Sequence, residues 1–427
     1  MTPRGYNAAL ALASVAATSV AWLVALNLTL GQRRLGRGIE RLYSIHEPEF
    51  RRTFDALLGS AIVPGNRYRV LTNGDEIFPA MLRAIRSATR SVNFETYIYW
   101  SGEVALEFAQ ALAERASAGV KVHVLLDWFG SKEIDPSCVE QMRRAGVQVQ
   151  RFHAPSWGNV ARFNHRTHRK LLIVDGRIGF TGGVGIAPQW TGNAQDADHW
   201  RDTHFQVEGP VVARMQAVFC DNWINSTACV LHGDDYFPAL EPVGDADAQM
   251  FMSSPAGGSE SMQLMYLLAI NAAERTIDIA NAYFLPDELT KSTLIKALRR
   301  GVRLRLIVPG EHIDVAVVRR ASRATWGALL RAGAQIHEYQ PTMFHCKVMI
   351  VDGLLVSVGS TNFDNRSFRL HDEANLNLYD RGCAAELTAQ FERDLQRSRR
   401  ITYADWRARP VHEKVVELSA AVLKPQL

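Results

Sequence analysis

Cysteine is scarce in this chain of 427 residues. There are five, Cys138, Cys220, Cys229, Cys346 and Cys383, an odd number with no CxxC pair. That argues against a disulfide framework and against a cysteine-held zinc, and it fits a reducing compartment. Excess charge is missing as well. There are 48 basic and 44 acidic residues, so the net charge is only +4. So mild a balance permits contact with anionic lipid but makes no case for a nucleic-acid partner. Hydrophobic residues make up 47% and charged residues 22%, the proportions of a globular protein with a real core.

One long run carries no charge, residues 8–30. At ~1.5 Å per residue it is long enough to cross a hydrocarbon core of about 30 Å. A cleaved signal peptide is the alternative, but the apolar core is too long and no small-residue cleavage site follows. Arg33, Arg34, Arg37 and Arg41 follow the run, and Arg4 precedes it. The positive-inside rule then puts the rest of the chain in the cytoplasm.

The chain is organised around residues 164–183, NHRTHRKLLIVDGRIGFTGG. His168, Lys170, Asp175 and a Gly-Gly pair containing Gly183 are spaced along it. The spacing returns at His345, Lys347, Asp352, Gly359 and Ser360 in FHCKVMIVDGLLVSVGSTNFDNRS. Residues two apart on a strand share a face, so each histidine projects together with its lysine. Asp175 and Asp352 have the opposite parity and precede glycine, which makes them bracing groups at a strand-ending turn. The glycine pairs would let backbone N–H groups approach an anion. Two facing His-Lys pairs can divide the work of phosphoryl transfer. One imidazole attacks phosphorus and the other protonates the leaving oxygen. The lysines hold the non-bridging oxygens, so no metal and no cofactor is required.

The doubled HxKxxxxD with its trailing Gly-Gly or Gly-Ser resembles the phospholipase D superfamily. Within it, residues 94–131, FETYIYWSGEVALEFAQALAERASAGVKVHVLLDWFGS, resemble bacterial cardiolipin synthases. The resemblance covers roughly residues 69–400. It implies a covalent phosphohistidine, with His168 the nucleophile and His345 the general acid and later base. It also implies a carboxylate behind each histidine, at Asp202 in HWRDTHF and Glu373 in HDEANLNL. Which carboxylate serves which histidine stays open. Asn362 keeps the polar position of GSTNFD, whereas Gly185 replaces it in the first copy. The implied setting is a bacterial inner membrane crossed once, with phosphatidylglycerol as substrate.

The body alternates strand and helix, which indicates an α/β fold. In the first half, helices are expected at 76–88, 106–118 and 139–145, and strands at 91–99, 121–127 and 147–152. The second half repeats the plan with helices at 261–274, 289–299 and 326–332 and strands at 275–284, 303–310 and 334–340. SAGVKVHVLLD echoes RRGVRLRLIVP, and RRAGVQVQRF echoes LRAGAQIHEY. The expectation is two similar phospholipase D-like α/β sandwich domains in pseudo-twofold arrangement, preceded by one transmembrane helix. The divisions are an anchor at 1–31, a linker at 32–68 broken at PEF and VPG, domains at 69–240 and 241–400, and an amphipathic tail at 401–427. The Pro- and Asp-rich 234–247 joins the halves. Trp128, Phe129, Trp157, Trp190 and Trp200 are either a lipid-facing rim or pocket wall. In the tail, Val411, Val415, Leu418 and Val422 recur at helical spacing. That stripe lies on the bilayer or docks on the protein's own core, the commoner fate. His165, His199, His204 and His371 are expected to make structural hydrogen bonds.

The reading is a membrane phosphatidyltransferase that joins two phosphatidylglycerols. Its rivals are a hydrolase with the same residues, transfer to another alcohol, a nuclease, and a scaffold without turnover.

Overall fold

The computed structural model describes residues 18, 39–41, 43–154, 165–254 and 261–422. The expected anchor at 8–30, apart from Thr18, lies outside the described residues, as do Arg33, Arg34, Arg37 and Trp157. Among the described residues no helix is long and apolar enough to cross a membrane.

The first half contributes β1 (Val63–Thr72), β2 (Ser91–Thr96), β3 (Lys121–Asp127), β4 (Gln148–Phe152), β5 (Arg166–Thr167), β6 (Leu171–Val174), β7 (Ile178–Gly182) and β8 (Thr203–Glu208). The second contributes β9 (Ala246–Ser253), β10 (Thr276–Asn281), β11 (Arg303–Pro309), β12 (Gln335–Tyr339), β13 (Lys347–Val351), β14 (Leu355–Gly359), β15 (His371–Tyr379) and β16 (Ser398–Ile401). All sixteen belong to one sheet. Its order is β16-β12-β11-β10-β13-β14-β15-β9 and then β1-β8-β7-β6-β2-β3-β4. Read outward from the β1–β9 seam, the second half repeats the order of the first, with β16 added at its edge and with β5 off this path, paired to β15 of the other half. Parallel and antiparallel pairings repeat too: β2–β3–β4 and β10–β11–β12 are parallel, and each joins its hairpin antiparallel. The seam pairs β1 and β9 antiparallel. Equivalent strands meeting antiparallel are what a twofold axis between the halves requires.

Two apolar cores are each largely private to one half. Phe94, Phe108 and Leu112 lie in the first, and Leu268, Ile279 and Trp326 in the second. A third, on the other face of the sheet, is shared. It mixes Phe205, Phe219 and Trp223 with Leu376, Leu387 and Phe391 beneath the helices Val211–Thr227 and Arg381–Gln396. Strands β2, β6, β13, β14 and β15 are buried throughout. Both faces are covered, which is why β6 and β13 read as apolar runs and not as alternation.

Local chemistry sets the element ends. Asp135 caps the helix Pro136–Arg144 by accepting from Ser137 N at 2.8 Å, and Asp287 caps Glu288–Arg299 through Thr290 N at 2.8 Å, the usual way to satisfy first-turn donors. Two expectations fail between residues 32 and 68. Pro48 does not break a helix but opens one, Pro48–Leu58, at the position where a missing N–H leaves nothing unsatisfied. VPG belongs to β1, at a shift of register between Val63 and Asn66, where proline removes no ladder bond. The helix expected at 326–332 begins earlier and spans Ala316–Arg331.

Candidate active site

The two repeated motifs form hairpins. Asp175 and Gly176 have φ of 53° and 62°, and Asp352 and Gly353 have 51° and 61°. Positive φ at both central residues marks the tight turn that suits the strand twist. The Asp175 carboxylate accepts the backbone N–H groups of Thr89, Arg90 and Ser91 at 2.8–3.2 Å. Asp352 accepts those of Glu274, Arg275 and Thr276 at 2.7–2.8 Å. Each therefore ties the hairpin to the start of the neighbouring parallel strand, at the end of β6 or β13 remote from its histidine.

At the other end the histidines come together. His168, Lys170 and His345 line one cavity of about 650 Å³. Lys347, buried beside His345, sends its ammonium to His345 O at 2.7 Å and over the His345 ring at 3.1–3.2 Å. Lys170 Nζ donates to His168 O at 2.7 Å. The His-Lys pairs thus project on one side, as their parity requires.

The carboxylates are crossed. His168 Nδ1 faces Glu373 of the second half at 3.0 and 3.1 Å. His345 Nδ1 faces Asp202 of the first half at 2.7 Å. The backbone fixes this exchange. His168 N–H donates to Asp372 O at 2.9 Å, and His345 N–H donates to Arg201 O at 2.8 Å. Each bond sets a histidine beside the residue just before its carboxylate. A carboxylate on Nδ1 fixes the tautomer and leaves Nε2 for chemistry.

The two braces differ in their surroundings. Asp202 Oδ2 also accepts Trp190 Nε1 at 2.9 Å, and Oδ1 accepts Thr203 N at 2.8 Å. Burial pushes Asp202 up, but His345, Lys347 and the Thr203 N–H outweigh it and hold the carboxyl below its ordinary value. Glu373 meets His168 and the hydroxyls of Ser360 and Ser367. Burial pushes it up, against the pull of Lys170. His168 is held well below the ordinary imidazole value, first by burial and then by Lys170 and Lys347. His345 is lowered by burial and Lys347 and partly restored by Asp202.

Gly183 and Ser360 do not offer N–H groups to an anion. Gly183 N–H donates to Thr203 O at 3.3 Å and Ser360 N–H to Ala374 O at 3.1 Å. A Cβ at Gly183 would lie 2.3 Å from Asp202 Oδ1, so this glycine makes room for the brace. Asn362 lines the cavity with its Oδ1 buried and without a partner among the described residues. At Gly185 an added Cβ would sit 2.9 Å from Ile98 Cβ and 3.2 Å from Trp190. The missing side chain is replaced by apolar wall.

Several cavity residues escaped the sequence reading. His371, expected to be structural, lines the cavity with its ring 5.4 Å from His168. His204 Nδ1 is buried without a partner among the described residues. Tyr97 stands edge-on to His168 at 5.1 Å, and Lys170 Nζ lies 5.5 Å from its ring. Trp190 and Trp200 flank His345 at 5.1 and 5.5 Å, so these two are pocket wall. Arg166, Asp364 and Arg366 also line the space. The period of two that joined His168 to Lys170 reaches Arg166, but Asp364 and Arg366 belong to the cap and first turn of the helix Asn365–Arg369, where that period does not run. Among the described residues, His168, His371 and Glu373 bring ligand atoms within 4.8 Å of one another. Glu373 is already engaged there, and Lys170, Lys347 and Arg366 oppose another positive charge.

A duplicated α/β chain whose two motif histidines meet in one cavity, each with its lysine beside it, defines a phospholipase D-like architecture. Residues 81–223 and 266–395 match the family described as "Cardiolipin synthase, PLD-like domain", and the chain belongs to that family. It is 35% identical over 364 residues to a cardiolipin synthase of Geobacillus sp. (strain WCH70), covering 84% of this chain and 72% of that one. With the cardiolipin synthase of Alkalihalophilus pseudofirmus it shares 32% over 400 residues, 93% of this chain and 79% of the relative. Phosphatidylserine synthase of Haemophilus influenzae has the same fold, with a TM-score of 0.68 at 12% identity over 88% of this chain and 99% of that one.

Proposed function

We propose that the chain is a phosphatidyltransferase that makes cardiolipin from two phosphatidylglycerols and releases glycerol. The observation that carries the reading is the meeting of both motif histidines in one cavity, each imidazole braced on Nδ1 by a buried carboxylate. His168 Nε2 attacks phosphorus and forms a P–N bond. The bond from phosphorus to the glycerol oxygen breaks, and His345 supplies the proton that glycerol takes away. The second phosphatidylglycerol gives its hydroxyl proton to His345, and its oxygen displaces His168 from phosphorus. One phosphodiester replaces another, so no nucleotide is consumed. Lys170 and Lys347 neutralise the non-bridging oxygens. His168, kept neutral by burial, suits the nucleophile, and His345, lowered but partly restored by Asp202, suits the proton carrier. Asp175 and Asp352 act by holding the hairpins. The units are two domains, 69–240 and 241–400, on an anchor at residues 8–30, with the site on the cytoplasmic side of a bacterial membrane.

Purified full chain given headgroup-labelled phosphatidylglycerol tests this. Cardiolipin and free glycerol in equal amounts are expected. Phosphatidic acid without cardiolipin would make the protein a hydrolase.

A further inference from the structure

The C-terminal helix Val411–Val422 is docked the unexpected way round. Its apolar stripe does not pack on the protein. Val411, Val415 and Leu418 are 75%, 56% and 63% exposed, whereas Glu417 is 3% exposed. The buried edge is charged or small. Glu417 binds Arg409 and lies 3.5 Å from Arg323, and Ala420 packs on Ala321 and Leu285. Ion pairs at this inner edge hold the helix so that its valines and leucine face out.

A cleft of about 720 Å³, separate from the catalytic cavity, lies along the same helix. Six arginines and four carboxylates line it. Arg320 and Arg400 are exposed there and make no ion pair among the described residues. Unpaired positive charge therefore lies beside an outward apolar stripe.

We propose that this helix and the arginine cleft beside it are the surface on which the protein rests on an anionic phospholipid bilayer. A helix with an apolar face outward and basic groups beside it lies in the plane of a membrane interface. A second copy of the chain fits less well. The free arginines would face their own copies, and one short stripe falls far below the ~800 Å² per partner of a stable interface. Position agrees with the role. Ala420 packs beside Val317 and Ala321 at the start of the helix Ala316–Arg331. Val315 and Val318 at that same end line the catalytic cavity, and Val315 and Phe129 are exposed on its rim. Resting on this helix turns the mouth of the cavity toward the lipid. The inference stands on the packing of the helix and does not need the transfer reaction.

The test uses the full chain reconstituted into vesicles. Cys229 is the exposed cysteine and the other four are buried. In a Cys229→Ser background, a polarity-sensitive fluorophore is attached at Val415→Cys, at Leu418→Cys, or at Glu140→Cys on the first half. Vesicles are phosphatidylcholine alone or with phosphatidylglycerol. In the mixed vesicles, probes at 415 and 418 should shift to the blue and lose access to aqueous iodide several-fold, while the probe at 140 should not. Arg320→Glu with Arg400→Glu should shrink that difference between lipids. Probes at 415 and 418 that stay as quenchable as the one at 140 would overturn the proposal. So would an equal response in both lipids, since the arginine cleft would then have no part.

Discussion

The crossed carboxylates make a prediction that separates the two histidines. Consider Glu373→Gln and Asp202→Asn. Glu373 meets His168 Nδ1 and the hydroxyls of Ser367 and Ser360, and the Ser360 hydroxyl lies 3.3 Å from Ala374 O as well. A glutamine can turn its oxygen to His168 and its amide to Ser360, whose hydrogen can move to Ala374 O. Only the charge is lost, worth about 1.5–3 kcal/mol for a buried charge-assisted bond. That converts to a roughly ten- to hundred-fold slower step. Asp202 receives donors on both oxygens, His345 and Trp190 on one and Thr203 N on the other. Whichever way an asparagine turns, one donor faces another, so about 1–3 kcal/mol of stability is lost in addition. A phosphodiester lipid with a nitrophenolate leaving group reads the steps apart, because that group departs without a proton. Glu373→Gln should slow the burst of nitrophenolate. Asp202→Asn should keep a burst near the wild-type rate, slow the following turnover, and melt earlier. The reverse pattern, a burst slowed by Asp202→Asn and spared by Glu373→Gln, would refute the crossed assignment.

Three further outcomes are expected. Gly185→Asn puts a side chain against Ile98 and Trp190 and should cost about 1–3 kcal/mol of stability through overpacking; a denaturation midpoint equal to wild type would show that the wall yields. Asp175→Ala strands three backbone donors and should lower stability by about 2–4 kcal/mol, read by chemical denaturation. If stability holds while the burst rate collapses, the aspartate acts in chemistry after all. The pH profile of the burst follows from His168, which must be neutral to attack and is held well below 6.5 by burial, Lys170 and Lys347. In Glu373→Gln, whose brace no longer takes up a proton near 7, the burst rate should stay level as pH falls through 6.5 and decline only in more acid solution, whereas an acid limb at or above 6.5 in that variant would remove His168 as the attacking group.

Much of this was legible because it is periodic. The repeat of HxK at fixed spacing marked both hairpins, and alternation of apolar runs with helical spacing marked β2, β3, β10 and β11. What the sequence hid was long-range. Asp202 and Glu373 could be named as braces, but their exchange depends on two backbone hydrogen bonds between halves, which no local pattern encodes. The anion role expected for Gly183 failed because its N–H is a sheet donor, something only the pairing of β7 with β8 reveals. The tail stripe at Val411, Val415 and Leu418 was visible, but the commoner docked arrangement was the wrong expectation. Arg323 and Arg409, distant or outside the pattern, claim the opposite edge of the helix.

The exchange of braces also bears on how such a chain can be divided. Cut at the β1–β9 seam, neither fragment keeps a histidine together with its own carboxylate. Each would carry one ring lacking its acid and one acid lacking its ring. Two identical copies of a single half, meeting about the same axis, would restore both pairs at once. A symmetric pair of single halves could thus hold two complete sites' worth of braces, and the fused chain needs both of its halves for either one.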